Sequence, residues 1–284
     1  MTNKILVTGA TGNVGGPLVQ ELKASGADFA VMSSKPRAAI SGVETRHGDF
    51  GSVASLVAAF SGIETVFLLF PLVPNKLELA KNAATAAKAA GVKHIVRSSG
   101  AGADSASPFA LAKLQGEIDD VLTASGVPTT FLRPNGFMQN YVTYQTAAIK
   151  DGTIYGADGG QAQSLIDARD IAAVAAKVLV NPGVHAGKAY TLTGGEALTG
   201  AQAAATISAA IGKTVSHVSV PTEAAVATMN QWGMPAFLVN MMDSLNHIIS
   251  AGYASGVSAD VEQILGRKPR TFAAFVDDNV AAWK

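Results

Sequence analysis

The segment Thr8-Gly9-Ala10-Thr11-Gly12-Asn13-Val14-Gly15 decides how this chain is read. It follows a short apolar run, residues 4–8, and opens an apolar-periodic stretch. Its glycines are spaced G-x-x-G-x-x-G. Each has a separate task in a strand-to-helix turn: Gly9 permits the tight turn, Gly12 lets the backbone approach a pyrophosphate, and Gly15 lets helix and strand pack closely. Amides Thr11, Asn13 and Val14 then lie where a helix start presents N–H groups and the positive end of its dipole to an anion. The reading is a dinucleotide-binding loop.

The rest of the first half supports it. Apolar or β-branched runs at residues 29–33, 43–47, 65–70, 94–98 and 129–133 alternate with helical stretches. The helices end in Ser25-Gly26, Ser61-Gly62, Ala90-Gly91 and Ser125-Gly126, where glycine serves as the C-cap. Apolar strands without alternation suit a parallel sheet covered on both faces. The predicted fold is α/β, a Rossmann-type doubly wound parallel sheet. Helical segments dominate beyond it: 136–150, 168–180, 199–211, 221–231, 236–250, 258–265 and 271–283, with strands near 189–192 and 215–220. The expected organisation is a nucleotide-binding core over residues 1–135. Residues 136–284 complete the sheet and form a smaller, mostly helical substrate lobe.

Past the second strand stands Met32-Ser33-Ser34-Lys35-Pro36-Arg37. An acidic residue there would bond the ribose 2′-hydroxyl of NAD. Ser33, Ser34, Lys35 and Arg37 instead suit a 2′-phosphate through charge-assisted hydrogen bonds, so NADP(H) is expected. Asp49, after the third strand, either accepts from the adenine amino group with Phe50 beside the ring, or caps the helix starting near Ser52.

Bulk properties narrow the field. The 284 residues carry zero formal net charge and no Lys/Arg block, so a nucleic-acid partner is not expected. There is no cysteine, which excludes disulfides, Cys-ligated zinc and thiol catalysis. The five histidines show no metal-ligand spacing, and no metal is expected. No signal-peptide pattern and no apolar run of membrane-spanning length occurs, so a cytoplasmic protein without a membrane partner is expected.

Four stretches together resemble the NmrA-like group of atypical short-chain dehydrogenases/reductases: Val7 to Gly15, Arg46-His47-Gly48-Asp49-Phe50, Gly91-Val92-Lys93-His94-Ile95-Val96, and Thr130-Phe131-Leu132-Arg133-Pro134-Asn135-Gly136-Phe137. The resemblance covers nearly the whole chain. It implies NAD(P)H binding, independent of flavin, and hydride transfer in many members. It implies that Phe70 and Pro71 line the cofactor cleft, that Ser98 and Ser99 approach the nicotinamide, and that Pro134, Asn135, Gly136 and Phe137 flank nicotinamide and substrate. The group includes reductases of quinones, azo compounds and triarylmethane dyes, and a redox-sensing regulator.

One departure shapes the chemistry. Typical short-chain dehydrogenases carry Tyr-x-x-x-Lys, the tyrosine supplying a proton and the lysine holding the ribose. Here the stretch reads Phe109-Ala110-Leu111-Ala112-Lys113. Phenylalanine donates no proton. Lys113 either touches the ribose or is a surface lysine. Tyr141 is the alternative donor, better placed in sequence than Tyr144, or else a packing aromatic. Acceptors that delocalise charge need little acid assistance. The expected activity is therefore reduction of a small aromatic or quinonoid, azo or triarylmethane-like acceptor, the alternative being a non-catalytic NADP-binding sensor. Phe137, Met138, Tyr141, Trp232, Met234 and Phe237 are expected to line an apolar acceptor cleft, or to be ordinary core. A monomer or homodimer is expected.

Overall fold

The computed structural model describes residues 4–35 and 40–284. In chain order the first elements are β1 (Ile5–Val7), α1 (Gly15–Ala24), β2 (Phe29–Ser33), β3 (Glu44–His47), α2 (Val53–Phe60), β4 (Thr65–Leu68), α3 (Lys76–Ala89), β5 (His94–Ser98), α4 (Ala110–Ala124) and β6 (Thr129–Pro134). There follow α5 (Asn140–Thr143), α6 (Thr146–Asp151), β7 (Thr153–Gly156), α7 (Ala168–Val180) and β8 (Ala189–Leu192). The chain closes with α8 (Gly200–Ile211), β9 (Ser216–Ser219), α9 (Thr222–Gln231), α10 (Ala236–Ser250), α11 (Asp260–Leu265) and α12 (Phe272–Asn279).

Two compact units emerge. One comprises residues 1–107, 112–133 and 171–190; the other comprises 108–111, 134–170 and 191–284. The first carries the large sheet, in the order β3-β2-β1-β4-β5-β6-β8. The ladders of β1 with β2 and β4, of β2 with β3, of β4 with β5, and of β5 with β6 are all parallel. This is the doubly wound arrangement expected from the sequence. Right-handed crossovers travel one way from β1 to β3 and the other way from β4 to β6, so their helices fall on opposite faces of the sheet. The reversal at β1 and β4 leaves a crevice at the carboxyl ends of those strands, where open α/β sheets bind ligands.

The central strands β1, β4 and β5 read as apolar runs because both faces are covered, whereas the edge strand β3 is largely exposed. Ile5, Leu6, Val7, Val66, Phe67, Leu68, Ile95 and Val96 are all buried. One continuous core joins the sheet to α2, α3 and α4 through Leu56, Phe60, Leu79, Ala83, Ile118 and Leu122. Burying such a Leu or Phe side chain contributes about 1.5–3 kcal/mol.

The second unit has its own core, from Met138, Tyr141, Ile149, Ile154 and Ile207 to Phe272, Phe275 and Trp283. It is mostly helical, as expected. Two details differ from the sequence reading. The single helix expected over residues 136–150 is two short helices, α5 and α6, broken near Tyr144 and Gln145. A strand not expected, β7, pairs in parallel with β9, with Thr153 opposite Ser216 and Gly156 opposite Ser219. Four residues carry too little periodicity to announce a strand alone; pairing with a segment 63 positions away defines it. Among the described residues, no helix is long and apolar enough to cross a membrane.

Candidate functional site

Thr8, the first residue after β1, ties the two strands of the switch point together. Its amide donates to the Phe67 carbonyl at 3.1 Å. Its Oγ1 donates to the same carbonyl at 3.0 Å and accepts from the Leu69 amide at 2.9 Å. The chain then turns sharply. Gly9 has φ +67°, and the Gly12 amide donates to the Gly9 carbonyl at 3.0 Å. A Cβ on Gly15 would press into the carbonyl group of Gly9 and Cα of Ala10, so only glycine lets α1 start this close to the loop. No acidic side chain stands in the first turn of α1, which leaves the positive end of the helix dipole uncompensated for an anion.

The loop floors a cavity of about 370 Å³. Its lining runs from Thr8, Gly9, Ala10 and Thr11 across the end of β2, with Val31 to Lys35, to Phe50, Leu69 and Pro71. Among the described residues, no Asp or Glu lines it. Ser33 donates through Oγ to the Lys35 carbonyl at 2.7 Å, folding the segment after β2 into a local turn. Of the residues expected from the sequence to hold the cofactor, Gly9, Thr11, Ser33, Ser34, Lys35, Phe50 and Pro71 meet at this one cavity. Gly12, Asn13 and Val14 complete the loop without lining the cavity, the first two exposed and Val14 buried. Arg37 lies outside the described residues.

Two neighbouring side chains are otherwise engaged. Asp49 accepts through Oδ1 from the Gly51 amide at 2.8 Å, closing its own turn, while Ser52 caps α2 by accepting from the Ser55 amide. Of the two tasks open to Asp49, the helix cap is taken by Ser52, and the Asp49 carboxylate closes its own turn. Phe70 is buried, its ring 4.9 Å from that of Phe50, so it supports the cavity wall rather than forming it. The lining also includes Val31, Met32, Ile40, Thr45 and Gly48, which motif reasoning passed over. Gly48 was the available signal: a Cβ there would collide with the thioether of Met32, so its identity reports close packing beside the cleft.

At the end of β5 a second polar cluster belongs to the same unit. Ser99 is buried and donates through Oγ to Asp119 at 2.9 and 3.1 Å. Asp119, on α4, also accepts from Arg97 and, at 3.0 Å, from Arg133. Arg97 is fully buried; its Nη2 donates to Gln115 Oε1 at 2.6 Å. Lys76 sits nearby with its Nζ 3.5 Å from the same Gln115 oxygen, and burial followed by repulsion from Arg97 lowers its pKa to about 8. Ser98 is half-buried at the strand end, and Lys113 is exposed on α4.

The second unit carries the remaining expected residues. Pro134 and Asn135 begin its 134–170 segment. The Asn135 amide donates to the Leu192 carbonyl at 3.0 Å, and its Nδ2 donates to Ser164 Oγ and to the Ala254 carbonyl, each at 2.8 Å. Gly136 and Phe137 are half-buried, and the Met138 amide donates to the Ile166 carbonyl at 2.9 Å. Met138 itself is core. Tyr141 is also packed inside, its ring 5.1 Å from Phe272 in an edge contact. Burial, reinforced by the charge of Asp158, pushes its hydroxyl up to about 12. Trp232 is exposed, and Met234 and Phe237 are half-buried.

The geometry above has counterparts. The description of the NmrA-like family matches residues 1–276. The chain is 40% identical over 283 residues to the NAD(P)H azoreductase of Xenophilus azovorans, covering 98% of this chain and 99% of that one. The crystal structure of the NADPH-dependent quinone oxidoreductase QOR2 of Escherichia coli complexed with NADPH superposes with a TM-score of 0.88 at 31% identity, over 96% and 99% of the two chains. The triphenylmethane reductase of Citrobacter sp. complexed with NADP(H) gives 0.85 at 28%, over 98% and 99%. A glycine-shaped loop at the β1–β4 crevice, the fold around it, and similarity running nearly end to end agree on one assignment: this chain belongs to the NmrA-like family.

Proposed function

We propose that the protein is an NADPH-dependent reductase of conjugated, electron-poor small molecules such as quinones, azo compounds and triarylmethane dyes. The observation that carries the reading is the cavity above the Gly9–Gly15 turn, lined at one end by the phosphate loop and at the other by Ser33, Ser34 and Lys35, with no carboxylate among the described residues. A hydroxyl-rich, cationic wall fits an adenosine 2′-phosphate and lacks the carboxylate that would accept from both hydroxyls of an unmodified ribose. The 40% identity to an NAD(P)H azoreductase supports the same reading.

When bound, the reduced nicotinamide supplies the hydride. The residues of the chain bind and orient. Loop amides and the α1 dipole take the diphosphate, Ser33, Ser34 and Lys35 the 2′-phosphate, and Phe50 offers its ring to the adenine. Ser98, Ser99, Pro134, Asn135, Gly136 and Phe137 are assigned to the nicotinamide end, and Lys113, exposed on α4, to the ribose. Ser99 is held by Asp119, so its oxygen is fixed in orientation. Tyr141 is a poor acid in its packed place, because its raised pKa opposes loss of the proton. Acceptors whose reduced form is stabilised by conjugation tolerate this, since water can complete protonation. Proximity and exclusion of side reactions then supply the rate.

The test is a panel of quinones, azo dyes and triarylmethane dyes mixed with protein and NADPH or NADH, following loss of reduced-nicotinamide absorbance. Turnover with NADPH by at least one class, faster than with NADH, is expected. Background rates across the whole panel overturn the reading.

A further inference from the structure

We infer that Tyr253 is an acceptor-binding residue of this reductase, its ring providing a stacking face for a planar conjugated substrate. The inference rests on the reductase reading above and adds to it a residue from the far end of the chain.

Tyr253 is 72% exposed, yet its ring is held. It meets Phe109 edge-on, with centroids 5.8 Å apart and planes at 64°. A T-shaped contact to one partner, on a ring 72% exposed, leaves at least one face of it open, and the face is what a planar conjugated molecule stacks upon. The backbone beneath is equally fixed. Gly252, at φ +83°, ends α10, its amide donating to Ile249 at 2.8 Å while the Tyr253 amide donates to Ile248 at 3.1 Å. This double closure of the helix end sets the direction in which Tyr253 projects.

Two further ties connect this turn to segments with assigned tasks. The carbonyl of Ala254, the next residue, accepts from Asn135 Nδ2 at 2.8 Å and from the Ser164 amide at 3.0 Å. Ser244, on α10, accepts through Oγ from the Leu111 amide at 2.9 Å. Thus α10 and its terminal turn are bolted both to Asn135, assigned to the nicotinamide end, and to the stretch that begins at Phe109, where short-chain dehydrogenases place their tyrosine. A rigid ring with an open face is a better stacking surface than a mobile one, since little side-chain entropy is lost on binding. Trp232 is as exposed, at 77%, but has no ring partner among the described residues.

The experiment measures binding separately from turnover. Protein saturated with NADP⁺ is titrated with 1,4-naphthoquinone by calorimetry, for wild type, Y253F, Y253A, Y253L and, as a control for any exposed tyrosine, Y155A. Loss of the aromatic face in Y253A and Y253L is expected to weaken quinone binding roughly 3- to 10-fold, the range of one aromatic pair. Y253F and Y155A are expected to bind within about twofold of wild type, and NADP⁺ affinity to stay unchanged in all. In turnover, the loss appears in KM rather than kcat. Wild-type quinone affinity in both Y253A and Y253L, or an equal loss in Y155A, overturns the inference while leaving the reductase reading intact. No turnover of any acceptor by wild type overturns both.

Discussion

Each unit of this molecule contains one buried aspartate that joins two arginines, and the two are built differently. In the first unit Asp119 holds Arg97 and Arg133; the side chain of Arg97 is wholly buried. In the second, Asp170 holds Arg267 and Arg270, whose side chains are 43% and 32% exposed, and it also accepts from the Arg270 amide at 2.6 Å. Both carboxylates are almost inaccessible, at 5% and 0% exposure. What differs is the fate of the cations if the carboxylate is removed: Arg267 and Arg270 can turn to water, whereas Arg97 cannot. The burial of the partner, rather than that of the acid, sets how much each aspartate contributes. The contrast bears on the proposed site because Asp119 also orients Ser99, after β5.

The largest expected effect tests this directly. Asp119→Ala leaves a stranded interior guanidinium and should destabilise by about 3–5 kcal/mol in urea unfolding. Asp170→Ala should lose only about 2 kcal/mol, the scale of one charged hydrogen bond. Equal losses would break the comparison. The nucleotide end shows the same division between what is enclosed and what is solvated. Gly15→Ala forces a methyl group into the Gly9 carbonyl, a strain of about 1–3 kcal/mol with no room to relax. Affinity for NADPH should fall between about 10- and 100-fold, read by calorimetry.

His94 sharpens the point with a buried group that has no carboxylate partner. Its Nε2 lies 2.9 Å from Thr130 Oγ1, whose own hydrogen goes to the His185 carbonyl at 2.7 Å. The imidazole is therefore the donor at Nε2. Burial, then repulsion from His185, lowers its pKa to about 4. A depressed folded value means that its contribution is complete above about pH 6.5 and is lost as pH falls towards the folded value. Wild type should lose about 1–2 kcal/mol from this group between about pH 7.5 and pH 5, and His94→Gln should flatten that slope. The smallest effect belongs to the exposed cation. Lys35→Ala should weaken NADPH about tenfold and leave NADH nearly unchanged, narrowing the preference between them.

Legibility followed the range of the interactions. The Thr8–Gly15 turn, the strand ends and the capping glycines are local devices, and each could be placed by residue number. Gly26 and Gly91, expected as caps, have φ of +68° and +72°. The candidate cofactor residues that meet at the cavity do so for the same reason, since they follow neighbouring strands of a parallel sheet. Tyr141 was ambiguous because donor and packing aromatic look alike in sequence; burial beside Phe272 was needed to separate them. Tyr253 carried no motif at all, and its pairing with Phe109 spans 144 positions.

From residue types and spacing alone came the winding of the sheet, the glycine-shaped loop after β1 and the absence of an acid after β2. These depend on backbone conformations that only glycine reaches and on apolar runs whose meaning is local. Tertiary structure alone decided which charges are stranded and which are solvated, that Asp49 closes its own turn, and that the ring of Tyr253 stands open against Phe109. Solvent exposure and ring geometry arise from segments far apart in the chain, and no window of sequence contains them.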